Sequence, residues 1–322
     1  MTISELKILF QNELSELYSK SEIEELLSIF CEHFIELNKI ELRQNLDKDL
    51  SELDSEKFSK AIFELKTGKP FQQILGETEF YGMKFFVNEH VLIPRPETEE
   101  LLELAIKKIQ EKSKKNQVFN DGLREPQPDN ADSFEQENFQ TLKLSNSQTT
   151  LKLKILDIGT GSGIIPIVLK KYFPEAEVST IDISEDALKI AKKNADFHNV
   201  EINFINKDYL NEVFDSAQTD NDIFDVIISN PPYIGIEENI EIEESVKGFE
   251  PNIALFSPTS DALIFYRKIA EDSENHLSEN GMIFLEINQK LGKETLDLFQ
   301  NFSESILLKD ISGNDRMIFA RK

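Results

Sequence analysis

The stretch Leu153-Lys154-Ile155-Leu156-Asp157-Ile158-Gly159-Thr160-Gly161-Ser162-Gly163 is compatible with few folds. A short apolar run reads as a buried strand, and three alternate glycines turn it directly into a helix over Ile164 to Phe173. Glycine lets the backbone turn sharply there and lets a ligand approach closely. Next, Glu177 to Ile181 reads as a second strand ending at Asp182. Ser184 opens a helix to His198, with Glu185 and Asp186 near its positive end. Ile202 to Ile205 reads as a third strand leading to Asp208 and Tyr209, and Phe224 to Ser229 as a fourth. This βαβαβ order implies right-handed crossovers and a parallel sheet that binds ligands at the carboxyl ends of its strands.

The fourth strand ends in Asn230-Pro231-Pro232-Tyr233. Neither proline has an N–H to continue a ladder, and each biases the residue before it towards an extended conformation. An amide side chain, stiff backbone carbonyls and an aromatic ring are therefore displayed together. That cluster suits a planar NH2 group, with two acceptors for its hydrogens and a ring to face its plane. It points to methyl transfer onto an amino or amide nitrogen. The glycine turn lacks the G-x-G-x-x-G spacing usual for dinucleotides, and Asp182 follows Gly163 by 19 positions, where a nucleoside ribose needs an acceptor. The combination favours S-adenosylmethionine over NAD.

A chain of 322 residues suggests two domains. Residues 1–75 read as a small helical bundle. Thr2-x-x-Glu5 and Ser21-x-x-Glu24 match the capping-box pattern, and Ile23, Leu26, Leu27, Phe30 and Phe34 trace one helical face. Further helices are expected over Ile40 to Asn45 and Ser55 to Lys66, ended by Thr67-Gly68-Lys69-Pro70. Cys31, the single cysteine, reads as a buried structural thiol, and His33 as a surface or core histidine. Residues 76–100 read as a β-hairpin turning near Gly82, then the stiff connector Val91-Leu92-Ile93-Pro94-Arg95-Pro96-Glu97-Thr98-Glu99. Glu97 or Thr98 is placed to open a helix over Leu101 to Ile109. Residues 101–322 form the second domain, interrupted over 111–150 by a polar stretch expected to be a flexible insertion.

The net charge of −25 lowers the expectation of a nucleic-acid substrate, which usually demands basic residues against phosphates. No apolar run reaches the length of a membrane span, and Met1 to Lys7 lacks a secretory pattern, so a cytoplasmic protein is expected. No metal is expected.

These residues resemble the peptide chain release factor N5-glutamine methyltransferases, the HemK/PrmC-type family. The resemblance runs through Pro70-Phe71-Gln72-Gln73-Ile74-Leu75-Gly76, Phe80-Tyr81-Gly82 and the Ile93-to-Glu99 connector. It continues through Asp157 to Gly163, Asn230-Pro231-Pro232-Tyr233-Ile234 and Phe249-Glu250-Pro251 with Ala254-Leu255. It implies an α/β fold: a Rossmann-like class I S-adenosylmethionine methyltransferase domain, with the helical bundle recognising the release factor. The implied acceptor is the glutamine amide of the Gly-Gly-Gln motif in class-1 release factors, and the product S-adenosylhomocysteine. Carried over, Gly159, Thr160, Gly161, Ser162 and Gly163 would lie along the methionine part of the cofactor. Asp182 would bind the ribose, Asp208 and Tyr209 would line the adenine side, and Asn230 would border the cofactor. Asn230 and the Pro231 backbone would accept the two amide hydrogens, with Pro232 and Tyr233 against the substrate; Asn230, Pro231 and Tyr233 are the catalytic candidates. Arg95 and Glu250 are further candidates, Glu250 reading equally as a helix cap or a substrate contact. A monomer without membrane or direct nucleic-acid contact is expected.

The chain departs from the family pattern at Phe256-Ser257-Pro258, Asp261-Ala262-Leu263 and Asn288, each where glycine is usual. The segment Gly313 to Phe319 reads as a turn into a final edge strand. A rival reading is an N6-adenine or N4-cytosine nucleic-acid methyltransferase, which the acidic balance and the helical front end oppose. Another is a cofactor-binding adaptor without catalysis, opposed by intact Asn230 and Tyr233. Asn230→Ala is expected to cut kcat by roughly 10²–10³, the scale of one preorganised polar group; near-normal turnover of release factor would remove Asn230 from that role.

Overall fold

The computed structural model describes residues 1–121, 152–212, 223–235 and 248–322. Capping decides where the first helices begin. The Thr2 hydroxyl accepts from the Glu5 N–H and the Glu5 carboxylate accepts from the Thr2 N–H, so α1 (Ile3–Leu14) opens as its sequence reads. α2 (Lys20–Ile35) opens two residues earlier than expected: Ser19, not Ser21, is the cap, paired reciprocally with Glu22. Two overlapping Ser-x-x-Glu frames compete there. The earlier one gains further backbone bonds, among them the Ile23 N–H to the Ser19 carbonyl at 3.0 Å.

α3 (Lys39–Gln44), α4 (Glu52–Lys66) and the short α5 (Phe71–Leu75) complete the helical front end. α5 lies beyond the stop expected at Thr67 to Pro70: Pro70 stands just before its start, its carbonyl accepting from the Ile74 N–H at 3.2 Å, and Gly76, at φ +73°, closes it. Phe10, Phe30 and Phe58 are fully buried between these helices, and Phe58 meets Phe10 and Phe34 edge-on, with ring centroids 6.3 and 5.3 Å away. Cys31 is buried with them, and burial pushes its thiol up to about 12, as befits a structural cysteine.

β1 (Glu77–Phe80) and β2 (Met83–Phe86) form an antiparallel hairpin. Tyr81 and Gly82 both take positive φ in its two-residue turn, the geometry whose twist matches that of the strands. α6 (Pro96–Asp121) starts earlier and ends later than expected, and its last part overlaps the stretch read as a flexible insertion. Leu101, Leu102, Ala105, Ile106 and Ile109 hold it on the sheet, and the Lys112 ammonium donates to the Asn280 carbonyl at 3.0 Å. The rest of the 111–150 stretch lies outside the described residues.

The main sheet contains β3 (Lys154–Ile158), β4 (Glu177–Asp182), β5 (Asn203–Asn206), β6 (Phe224–Ser229), β7 (Leu277–Glu286), β8 (Glu304–Lys309) and β9 (Asp315–Arg321), in the order β5-β4-β3-β6-β7-β9-β8. The first five are parallel, and β9 runs antiparallel to both β7 and β8. Side chains alternate between two apolar layers: Ile155, Val226, Ile228, Phe284 and Phe319 face one, Leu156, Ile227, Ile283, Leu285 and Ile318 the other. Burial on both faces explains why these strands read as unbroken apolar runs. It also corrects the place of the last strand: β9 is interior, with Met317 to Ala320 buried, whereas half-exposed β8 takes the edge.

α7 (Ile164–Tyr172), α8 (Glu185–His198), α9 (Asn252–Leu255), α10 (Ile264–His276) and α11 (Gly292–Asp297) supply the remaining described helices. The front-end helices join this part through the Gln73 amide, which donates to the Phe249 carbonyl at 2.7 Å. Phe58→Ala is expected to cost about 3–5 kcal/mol, the scale of emptying a buried aromatic site. The readout is a lower urea midpoint of the far-UV circular dichroism; an unchanged midpoint would show that the ring cluster does not hold the bundle.

Candidate active site

Chain order reverses between β3 and β6: from β3 the chain steps outward to β4 and β5, whereas β6 leads the other way to β7. The adjacent carboxyl ends of β3 and β6 therefore border the crevice at a topological switch point. Beyond β3, Gly159, Gly161 and Gly163 take φ of +81°, +53° and +83°. Only the last is tight: a Cβ on Gly163 would lie 3.0 Å from the Ala191 Cβ on α8, so glycine there serves helix packing. A Cβ on Gly161 would meet nothing within 4 Å, so the middle of the turn faces open space.

The turn is fastened from below. Asp182, at the end of β4, accepts from the Gly161 N–H at 2.9 Å and the Ser184 N–H at 2.8 Å. Burial nevertheless raises its pKa, opposed by those N–H donors. Asn194, fully buried on α8, donates to the Ser162 carbonyl at 2.8 Å and exchanges two bonds with the Phe86 backbone, tying the turn to the hairpin. Asp157 lies beneath the turn, fully buried, accepting from the Thr180 hydroxyl at 2.7 Å. Asp208 stands at the next strand exit and accepts from the Leu210 and Asn211 N–H groups, capping its own turn. Tyr209 follows it, buried in one apolar cluster with Leu156, Tyr266 and Ile269.

Across the switch point, the Ser229 hydroxyl donates to the Ile158 carbonyl at 2.7 Å, and a Cβ on Gly159 would sit 3.9 Å from the Asn230 carbonyl oxygen. The glycine turn and the Asn-Pro-Pro-Tyr corner thus adjoin. Ile234 extends the corner by exchanging bonds with Leu255 and Ser257. The Asn230 amide donates to the Thr98 hydroxyl at 3.1 Å, and Thr98 donates to the Glu286 carboxylate at 2.7 Å. The other Glu286 oxygen accepts from the Tyr233 hydroxyl at 3.2 Å, and the Asn288 amide donates to the Tyr233 carbonyl at 3.2 Å. Burial and the Glu286 charge push the Tyr233 phenol up. Asn288 therefore secures the corner where the family pattern has glycine.

The Glu250 side chain does not cap the helix that follows it. Its buried carboxylate accepts from the Arg95 guanidinium at 2.6 Å and the Ile93 N–H at 2.9 Å, locking the connector to the segment before α9. Arg95, between its two prolines, is held by this pair and only partly exposed. Thr98 and Asn194 gave no chemical signal in the sequence, because their partners lie 132 and 108 positions away.

A doubly wound sheet with a glycine turn and an Asn-Pro-Pro-Tyr corner side by side at its switch point defines a class I methyltransferase domain. The Methyltransferase small domain model matches residues 139–245. The chain is 42% identical over 320 residues to the release factor glutamine methyltransferase of Flavobacterium psychrophilum, covering 99% of this chain and 98% of the relative. It is 33% identical to that of Bacteroides thetaiotaomicron, over 96% of each chain, and 34% identical to that of Streptococcus pneumoniae, also over 96% of each. The chain belongs to the release factor glutamine methyltransferase family.

Burial pushes the carboxyls of Asp157 and Glu286 up to about 7, against roughly 4 in an unfolded chain. Between those values the folded state holds protons that the unfolded chain has released. Their contribution to stability is therefore full below about pH 4, lost as pH rises towards about 7, and level above that. The melting temperature should fall over this interval, less steeply in Asp157→Asn; an unchanged slope in that variant would show that Asp157 titrates normally.

Proposed function

We propose that this protein transfers the methyl group of S-adenosylmethionine to the side-chain amide nitrogen of the glutamine in the Gly-Gly-Gln motif of class-1 peptide chain release factors. The observation that carries this reading is the adjacency of the glycine turn and the Asn-Pro-Pro-Tyr corner, which would set a methyl donor beside a planar NH2 group. The full-length relatives named for release factor glutamine methylation support the choice of acceptor.

The residues present fit the donor. The methionine part would lie along the turn from Gly159 to Gly163, which is open at Gly161, with Asp182 beside it for the ribose and Asp208 and Tyr209 towards the adenine. Bound there, S-adenosylmethionine supplies an already activated methyl group on a sulfonium. An amide nitrogen is a poor nucleophile, because its lone pair is delocalised into its carbonyl. The Asn230 side-chain oxygen and the backbone carbonyl at Pro231 would accept its two hydrogens, localising density on nitrogen and aiming it in line. So aimed, the nitrogen pair would bond to the methyl carbon as the carbon–sulfur pair goes to sulfur, and the surplus proton would leave to water. Positioning and fixed dipoles lower the barrier; no general base is required before transfer. Pro232 and Tyr233 complete the wall.

In the same reading the helical front end recognises the release factor, and the protein acts as a cytoplasmic monomer without direct nucleic-acid contact. Among the described residues, no helix is long and apolar enough to cross a membrane. The test is transfer of labelled methyl from S-adenosylmethionine to release factor, to its Gln→Ala variant and to DNA. Label is expected on the unaltered release factor alone; label on DNA but not on release factor would replace this reading with the nucleic-acid one.

A further inference from the structure

Asn230 presents its NH2 group, not its oxygen, to Thr98, and hydrogen counting explains why. A threonine hydroxyl has one proton, whereas an ionised carboxylate can only accept. Thr98 stands 2.7 Å from Glu286 Oε2 and 3.1 Å from Asn230 Nδ2. Its proton is committed to the carboxylate, so on its other side it can only accept, and only the Asn230 NH2 can satisfy it. The Asn230 oxygen must then lie on the opposite edge of the carboxamide. Flipping that carboxamide would set two oxygens against each other and lose a bond in a buried place, where Thr98 is 1% exposed. The same flip would confront the acceptor amide with N–H groups in place of an acceptor.

We propose that Glu286 and Thr98 are positioning residues that give the Asn230 carboxamide its direction, so that its oxygen faces the amide to be methylated. This rests on the functional reading above. The second Glu286 oxygen holds the Tyr233 hydroxyl, and Tyr266 on α10 donates to the Glu286 backbone carbonyl at 2.9 Å, which fixes the carboxylate between the two halves of the corner. The groups facing Glu286 are Glu97 and Thr98 of α6, Tyr233, Tyr266 of α10 and Arg316 of β9. Arg316 favours the ionised form and Glu97 opposes it. Protonated, Glu286 could donate to Thr98, freeing the threonine proton to turn towards Asn230 and reverse the order of donors.

Three variants test this: Thr98→Val keeps the shape and removes the hydroxyl, Thr98→Ser keeps the hydroxyl, and Glu286→Gln replaces a group that when ionised only accepts with one that also donates. With release factor as substrate, Thr98→Val should lower kcat by about tenfold, the worth of one hydrogen bond in a preorganised site, while both KM values stay within about twofold. Thr98→Ser should recover most of that loss. The wild-type kcat should rise with pH towards about 7 as Glu286 ionises, and this limb should be missing in Thr98→Val. A second readout needs no turnover: the ¹⁵N side-chain amide signals of Asn230 should titrate with Glu286 in the wild type and not in Thr98→Val. If Glu286→Gln fails to fold, the two Thr98 variants decide. Unimpaired kcat in Thr98→Val, equal impairment in Thr98→Ser, or Asn230 signals indifferent to Thr98 would each overturn the proposal. An unaltered enzyme that labels no release factor yet shows the titration would uphold the relay and overturn the functional reading.

Discussion

Four paired rows between β3 and β6, from Ile155 beside Val226 to Ile158 beside Ser229, hold the rest of the molecule in its arrangement. Chain order turns outward on both sides of this ladder, so neighbouring crossovers leave a crevice over its carboxyl end. The ladder also sets the separation of two turns that the chain makes some 70 residues apart. Its last row is fastened by the Ser229 hydroxyl on the Ile158 carbonyl, immediately before Gly159 on one strand and Asn230 on the other. Movement of one strand past the other by a single residue would exchange the faces of every side chain and part the two turns.

Around that ladder the chain places costly polar groups in dry surroundings. Asp157, Glu286, Asn194 and Thr98 are all buried within the fold. Each is there at the expense of hydration, which must be offset by hydrogen bonds. Asn194 uses three such bonds to join the hairpin to the glycine turn, and Glu286 joins Thr98 to Tyr233. The connector from Ile93 to Glu99 is the common thread. Ile93 and Arg95 grip Glu250, Thr98 reaches the corner, and Glu99 accepts from the Tyr81 N–H of the hairpin at 2.6 Å. Two prolines stiffen this segment, so its polar groups reach their partners with little freedom left to lose.

Strands β3 to β6 with their parallel order, the glycine turn and the Asn-Pro-Pro-Tyr corner were legible in the sequence because each depends on neighbours along the chain. Errors fell where two local readings competed or a distant partner decided. Ser19 and Ser21 offered overlapping caps for α2, and α6 outran a polar composition that looked unstructured. β9, last along the chain, lies inside the sheet because both of its faces are apolar. Glu250 read equally as a helix cap, yet its carboxylate is taken by Ile93 and Arg95. Thr98 read as a helix opener, yet its hydroxyl serves Glu286 and Asn230.

By itself, the sequence determined the class of fold and the two turns that meet in the crevice, since apolar periodicity, glycine freedom and proline stiffness act over a few bonds. Only the tertiary structure decided which way the Asn230 carboxamide faces and what holds Tyr233. Those outcomes depend on a carboxylate 56 positions beyond Asn230 and a hydroxyl 132 positions before it, brought together in a place too dry for water to substitute.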